Sequence, residues 1–247
     1  MRIIQITDQH VGTAGEQPFG VDVRSNLLRL CSHISKLQPD HLVITGDLCL
    51  EDGNADVYRW FREHIEALAI PYEVLSGNHD NPCLLARVFE VTEDLKDEEL
   101  YYRRQWCGER FLFLDSSPGT LSANQLSWVE AELTQREQRC RILFMHHPPV
   151  RAGVPHMDNN YPLQAPFREA LARIFAKAAE PLHVFCGHYH HARTILAPFG
   201  SVFISPSSYV QINPYVENFE PEHTAPGFRL IDIDGDQLRT SVHFMVD

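Results

Sequence analysis

Ile70-Pro71-Tyr72-Glu73-Val74-Leu75-Ser76-Gly77-Asn78-His79-Asp80 carries a compact apolar run straight into an amide, an imidazole and a carboxylate. The first seven residues read as a short buried strand, and Gly77 as the point where the chain bends at its end. By itself Gly-Asn-His-Asp is an ordinary turn, because turns favour Gly, Asn and Asp. Its context gives it weight. Arg2 to Thr7 is an apolar strand that exits into Asp8-Gln9-His10. His41 to Thr45 is another, and it exits into Gly46-Asp47. Between them lie a glycine-rich loop, Val11 to Gly20, and two segments with helical apolar spacing. Val21 to Leu37 places Leu27, Leu30, Ile34 and Leu37 on one face, and Ala55 to Leu68 does the same with Tyr58, Phe61, Ile65 and Leu68. This βαβαβ opening predicts parallel strands joined by helical crossovers. Ligands of such sheets collect at the carboxyl ends of the strands, where all three polar motifs fall.

The texture changes after about Leu100. Leu100 to Gln105 and Arg110 to Leu114 predict a hairpin turning at Cys107-Gly108-Glu109, with Asp115-Ser116-Ser117 at its exit. Ser122 is a natural N-cap for a helix over Ala123 to Gln138. Arg141 to Met145 is a buried strand ending in His146-His147-Pro148-Pro149, and the prolines stop it. Val150 to Pro166 is an irregular polar loop, long enough to suggest a face turned toward substrate. Phe167 to Ala179 reads as a helix. Leu182 to Cys186 is a strand that exits into Gly187-His188-Tyr189-His190-His191. Ile195 to Ala197 and Val202 to Ile204 suggest a further meander. Ser205 to Pro226 is irregular. Phe228 to Ile233 and Leu238 to Val246 form a closing hairpin around Asp234-Gly235-Asp236.

With 247 residues, 44% of them hydrophobic, the chain suffices for one substantial core, and no linker divides it. We expect a single domain over 1–247, with 205–247 a loop-plus-hairpin segment that either caps the site or forms a dimer interface. The net charge of −12 argues against a nucleic-acid polymer and an anionic membrane surface as partners. No apolar run nears the roughly 20 residues that span a bilayer, and the N-terminus is too short and too quickly polar for a signal peptide. The six cysteines are scattered without a CxxC pair, which fits reduced thiols and a cytoplasmic location.

Five strand ends therefore carry Asp8/His10, Asp47, Asn78/His79/Asp80, His146/His147 and His188/His190. Each has a bland explanation as a turn or cap. Together, at one edge of a sheet, they make a metal site. The set holds carboxylates, imidazoles and an amide but no thiolate, which suits divalent Mn, Fe, Co or Zn. There are too many ligands for one ion. Two ions need a bridging carboxylate, and Asp47, alone between two donor groups, is the natural one.

In this order, Asp-x-His, Gly-Asp, Gly-Asn-His-Asp, His-x-Pro and Gly-His-x-His resemble the calcineurin-like metallophosphoesterases. The compact length resembles their class III cyclic nucleotide phosphodiesterase and glycerophosphodiesterase branch, although Gln9 stands where that branch more often has Leu or Thr. The resemblance implies an α/β fold, a four-layer α/β/β/α sandwich of two mixed sheets flanked by helices. It implies one ion on Asp8, His10, Asp47 and His190 and a second on Asp47, Asn78, His146 and His188. It places His79 beside the substrate phosphate, with Asp80 orienting His79 or a ligand, and these two as the catalytic pair. His147, His183 and His191 are expected in structural or supporting roles, and Cys186 as core. The implied chemistry is attack on phosphorus by a hydroxide held between the ions. 3′,5′-Cyclic AMP is the first expected substrate, with a glycerophosphodiester or other small alkyl diester as the alternative and a catalytically silent metal-binding scaffold as a remote one. A homodimer or higher homo-oligomer is expected, with Tyr209, Tyr215 and Phe219 available either to stack on a base or to pack that interface.

Overall fold

β1 (Arg2–Ile6), β2 (His41–Thr45) and β3 (Tyr72–Leu75) lie side by side and parallel in a computed structural model that describes residues 1–136 and 139–245. Their crossovers are α1 (Val23–Leu37) and α2 (Ala55–Glu66). Asp22 caps α1 by accepting from the Ser25 amide, so the helix begins two residues later than its apolar spacing suggests. Asn54 caps α2 in the same manner. A short helix, α3 (Pro82–Val88), follows Asp80 directly. Its signals are Asn81 as cap and Pro82 in the first turn, which the apolar pattern did not bring out.

Two short strands, β4 (Leu95–Lys96) and β5 (Glu99–Leu100), lead into the expected hairpin of β6 (Tyr102–Trp106) and β7 (Glu109–Leu114). At its turn Cys107 and Gly108 both have positive φ, the pairing that suits a tight twisted hairpin. The remaining elements are α4 (Ala123–Thr134), β8 (Arg139–Met145), α5 (Pro155–Asn160), α6 (Ala165–Phe175), β9 (Leu182–Cys186), β10 (Arg193–Ala197), β11 (Gly200–Ile204), β12 (Gln211–Ile212), β13 (Pro221–His223), β14 (Gly227–Asp234) and β15 (Gln237–Phe244). Several differ from expectation. The 150–166 loop contains α5, and 205–226 contains the small β12–β13 ladder. α4 stops at Thr134, and the expected continuation over Glu137 and Gln138 lies outside the described residues, as does Val246 of the closing hairpin.

The sheets have the orders β15-β14-β1-β2-β3 and β10-β11-β9-β8-β7-β6, and both mix parallel with antiparallel pairs. The closing hairpin does not extend the second half of the chain. β14 returns to pair antiparallel with β1 and completes the first sheet. Strand alternation sorts the core into layers. Phe111 and Phe113 of β7, Ile142 and Phe144 of β8 and Phe185 of β9 join one apolar cluster with β1, β2, α1 and α2. Leu112, Leu114, Leu143, Met145 and Val184 join the other, with α4 and α6. The result is a four-layer α/β/β/α sandwich. Polar clasps cross its middle. Gln5 Nε2 donates to Thr45 Oγ1 and to the Cys186 carbonyl, while the buried Arg229 donates to Ser205 Oγ, which donates in turn to Gln5 Oε1. Because β1, β2 and β3 run parallel, and β7, β8 and β9 do likewise, each sheet gathers its polar strand exits at one edge.

Candidate metal centre

The chain leaves its strands in strained conformations at this edge. Asp8, His10, Asp47, His188 and His190 all have φ between 46° and 68°. Asp and His tolerate the left-handed region better than most residues, yet five such positions in one site are a deliberate concentration of strain. Gly77 has a different reason from the one its sequence suggests. Its φ is not positive. A Cβ there would overlap the Asp47 carboxylate and amide and press on His146. The glycine is needed for close approach, not for a turn.

Two groups of donor atoms emerge, each with all its atoms within 4.8 Å of one another: Asp8, His10, Asp47 and His190; and Asp47, His146 and His188. Asp47 belongs to both. Its Oδ2 lies 3.5 Å from His10 Nε2 and 3.4 Å from His146 Nε2. Asn78 adjoins the second group, with Oδ1 at 3.1 Å from His146 Nε2. Backbone amides steer the carboxylates: the His188 amide donates to Asp8, and the His79 amide to Asp47 Oδ1.

Three imidazoles are oriented by backbone carbonyls. His146 donates from Nδ1 to Thr45 O, His190 from Nδ1 to Val210 O, and His188 from Nε2 to Tyr161 O. These bonds leave His146 Nε2, His190 Nε2 and His188 Nδ1 as the free lone pairs. Those lone pairs converge: His146 Nε2 is 3.2 Å from His188 Nδ1, and His190 Nε2 is 3.0 Å from His10 Nε2. Nitrogens facing each other beside two buried carboxylates need a shared proton or cation between them, and this set of imidazoles, carboxylates and an amide fits a pair of divalent ions. The electrostatics agree. Burial works to raise Asp8 and Asp47, but His190 and His146 outweigh it and hold both carboxyls below their ordinary value. Burial takes His10 down to about 3 and His188 down to about 4. It pulls on His146 too, but Asp47 overrides it and carries that imidazole up to about 9. Ions binding here therefore compete with protons.

His79 stands beside this cluster, its ring edge-on to His10 at 4.8 Å. Its Nδ1 donates to the Glu51 carbonyl at 3.0 Å. Asp80, expected to orient His79 or a ligand, spends both carboxylate oxygens on the loops that carry Asp47 and Asn78. One oxygen accepts from the Leu48 and Gly77 amides, the other from the Cys49 amide and the Tyr58 hydroxyl. Burial, reinforced by Asp47, pushes its carboxyl up to about 6. Asp80 therefore fastens the Asp47 loop to the Gly77 turn, and its carboxylate does not line the cavity above the donors. His147, His183 and His191 lie outside both donor groups. His147 bonds to Ser116 and packs its ring 4.0 Å from that of His188. Sequence reasoning missed Tyr58, Ser116 and the carbonyls of Thr45, Tyr161 and Val210. Only Tyr58 had a signal, and it was indistinguishable from a core aromatic. No helix among the described residues is long and apolar enough to cross a membrane.

Sandwich, strand-edge donors and shared carboxylate define a dinuclear metallophosphoesterase architecture. The chain belongs to the calcineurin-like phosphoesterase family, whose model matches residues 1–192. Among its relatives, a probable cyclic nucleotide phosphodiesterase of Fibrobacter succinogenes is 34% identical over 99% of this chain and 94% of its own. A probable glycerophosphodiester phosphodiesterase GpdQ of Arcobacter nitrofigilis is 34% identical over 79% of this chain and 74% of its own. The 3′,5′-cyclic adenosine monophosphate phosphodiesterase CpdA of Escherichia coli K12 is 30% identical over 100% of this chain and 90% of its own. These relatives fall on the class III branch of the family.

Proposed function

We propose that this protein hydrolyses small phosphodiesters, 3′,5′-cyclic AMP first among them, with one ion held by Asp8, His10, Asp47 and His190 and another by Asp47, Asn78, His146 and His188. The observation that carries the reading is the Asp47 carboxylate, placed between two donor groups of the right chemistry. When bound, two such ions supply Lewis acidity, charge neutralisation at the phosphoryl group and a water of lowered pKa. The chain's own residues do the rest. His79 lines the cavity over the donors. With Nδ1 given to Glu51, its Nε2 is the nitrogen left to face the substrate's departing oxygen, the position of a general acid. No lysine or arginine lines this cavity among the described residues. The relatives' names support both cyclic nucleotides and glycerophosphodiesters, and glycerophosphodiester hydrolysis is the second reading.

The test is a panel with added Mn: cyclic AMP, cyclic GMP, glycerophosphodiesters and phosphomonoesters, on wild type and two variants. Asp47→Ala should lose bound metal and turnover together. His79→Ala should keep its metal while kcat falls about 10²- to 10⁴-fold. Turnover by metal-free Asp47→Ala sinks the scheme, and a fully loaded wild type inert on every ester points to the silent scaffold.

A further inference from the structure

The cavity above the donor cluster holds about 450 Å³, within the range of small-molecule sites. One wall is aromatic and is assembled from distant segments: Phe19 before α1, Tyr209 after β11, and Phe219 between β12 and β13. Phe19 lies 5.4 Å from Phe219 and 6.2 Å from Tyr209, centroid to centroid, and Tyr209 lies 5.6 Å from His10. An arc of rings thus descends from the rim to the donors. Two observations set it apart from packing. Phe19 is 66% exposed and held at φ 52°, a left-handed conformation that bulky side chains avoid. The backbone is strained to present this ring at the mouth. Tyr209 is the converse. It is 4% exposed and packed with Val21, Val23 and Val210, yet its buried hydroxyl has no hydrogen-bond partner among the described residues.

We infer that Phe19, Tyr209 and Phe219 form a slot for a flat heteroaromatic group carried by the phosphodiester, with the Tyr209 hydroxyl bonding to that group's polar edge. The inference rests on the phosphodiesterase reading and deepens it. Aromatic side chains bind nucleobases through their faces whatever the base. A glycerol-type alcohol would set hydroxyls against these rings and leave them unpaired. The slot therefore selects nucleotides over polyol diesters.

The experiment compares Mn-loaded wild type, Phe19→Ala and Tyr209→Phe on cyclic AMP and glycerophosphoethanolamine, with calorimetric titration of adenosine 5′-monophosphate into each. In Phe19→Ala the ratio of kcat/KM for cyclic AMP to that for glycerophosphoethanolamine should fall about tenfold, carried by KM, and adenosine monophosphate should bind about tenfold more weakly. Tyr209→Phe should weaken that binding while its thermal midpoint holds or rises, because the change removes a buried unpartnered hydroxyl. A merely structural tyrosine would lose stability on the same change. A Phe19→Ala ratio within twofold of wild type overturns the slot, as does no binding of adenosine monophosphate to wild type. If the loaded wild type turns over no diester, the phosphodiesterase reading fails by itself. The titration then still decides the slot: weaker binding by Phe19→Ala keeps it, and equal binding ends it.

Discussion

Gly77 shows how narrowly a single residue can be determined. Its neighbours leave room for a hydrogen and nothing larger, since the first atom a side chain would meet is the carboxylate that both donor groups share. Gly77→Ala should cost about 1–3 kcal/mol, the usual penalty of overpacking a tight site. It should also lower metal content at both positions, because the displaced group is Asp47. Chemical denaturation and metal analysis on the same sample check this; loss at one position alone would mean that Asp47 does not bridge. Asp80 is held as closely but tells a different story. Its four hydrogen bonds make it a rivet between two loops, although its place in a polar tetrapeptide suggested chemistry. Tyr58→Phe removes one of those bonds and leaves the buried carboxylate short of a donor. It should cost about 1–3 kcal/mol with the donor residues themselves untouched, read by urea unfolding.

At the scale of elements, the parallel strands were legible because they are largely buried on both faces and so read as short, mainly apolar runs. The donor types were legible because they stand at the exits of those runs. What was not legible is informative. The β14–β15 hairpin announces itself by its turn, but nothing in a hairpin's sequence says which sheet edge will take it, and it went back to β1. α3 is one short helix hidden behind the motif that precedes it. The tautomers of His146, His188 and His190 depend on the carbonyls of Thr45, Tyr161 and Val210, and a carbonyl is the one group every residue has. The backbone strain at Asp8, His10, Asp47, His188 and His190 was equally invisible, because residue types that tolerate it are also ordinary turn residues.

For the whole molecule, pH and metal supply act on the same sandwich. His41, stacked on Trp106, and His183 are both held below the ordinary value of 6.5, chiefly by burial. The unfolded chain then binds more protons than the folded one in the acid range. Their contribution is present above about pH 6.5 and is lost as pH falls toward the folded values. The thermal midpoint should therefore drop from pH 7 to pH 5, and less so in His41→Phe. Equal slopes in variant and wild type would remove His41 from the account. Ions held by the proposed donors would act across the layers. Asp8, His10, Asp47 and Asn78 leave strands of the first sheet, whereas His146, His188 and His190 leave strands of the second. Ions bound there stabilise the folded state by about 2.7 kcal/mol at a hundredfold excess over Kd. Chelation should lower the midpoint of wild type, and Asp47→Ala should no longer respond.

That shared ownership of the donors has a consequence for the protein's lifespan. A catalytic centre carried on one sheet could be stripped and leave an idle but durable enzyme. Here stripping would also slacken the seam between the sheets, and transiently opened chains are what proteases consume. Scarcity of metal would thus set how many copies survive as well as how fast each one works, so that abundance itself becomes a record of supply.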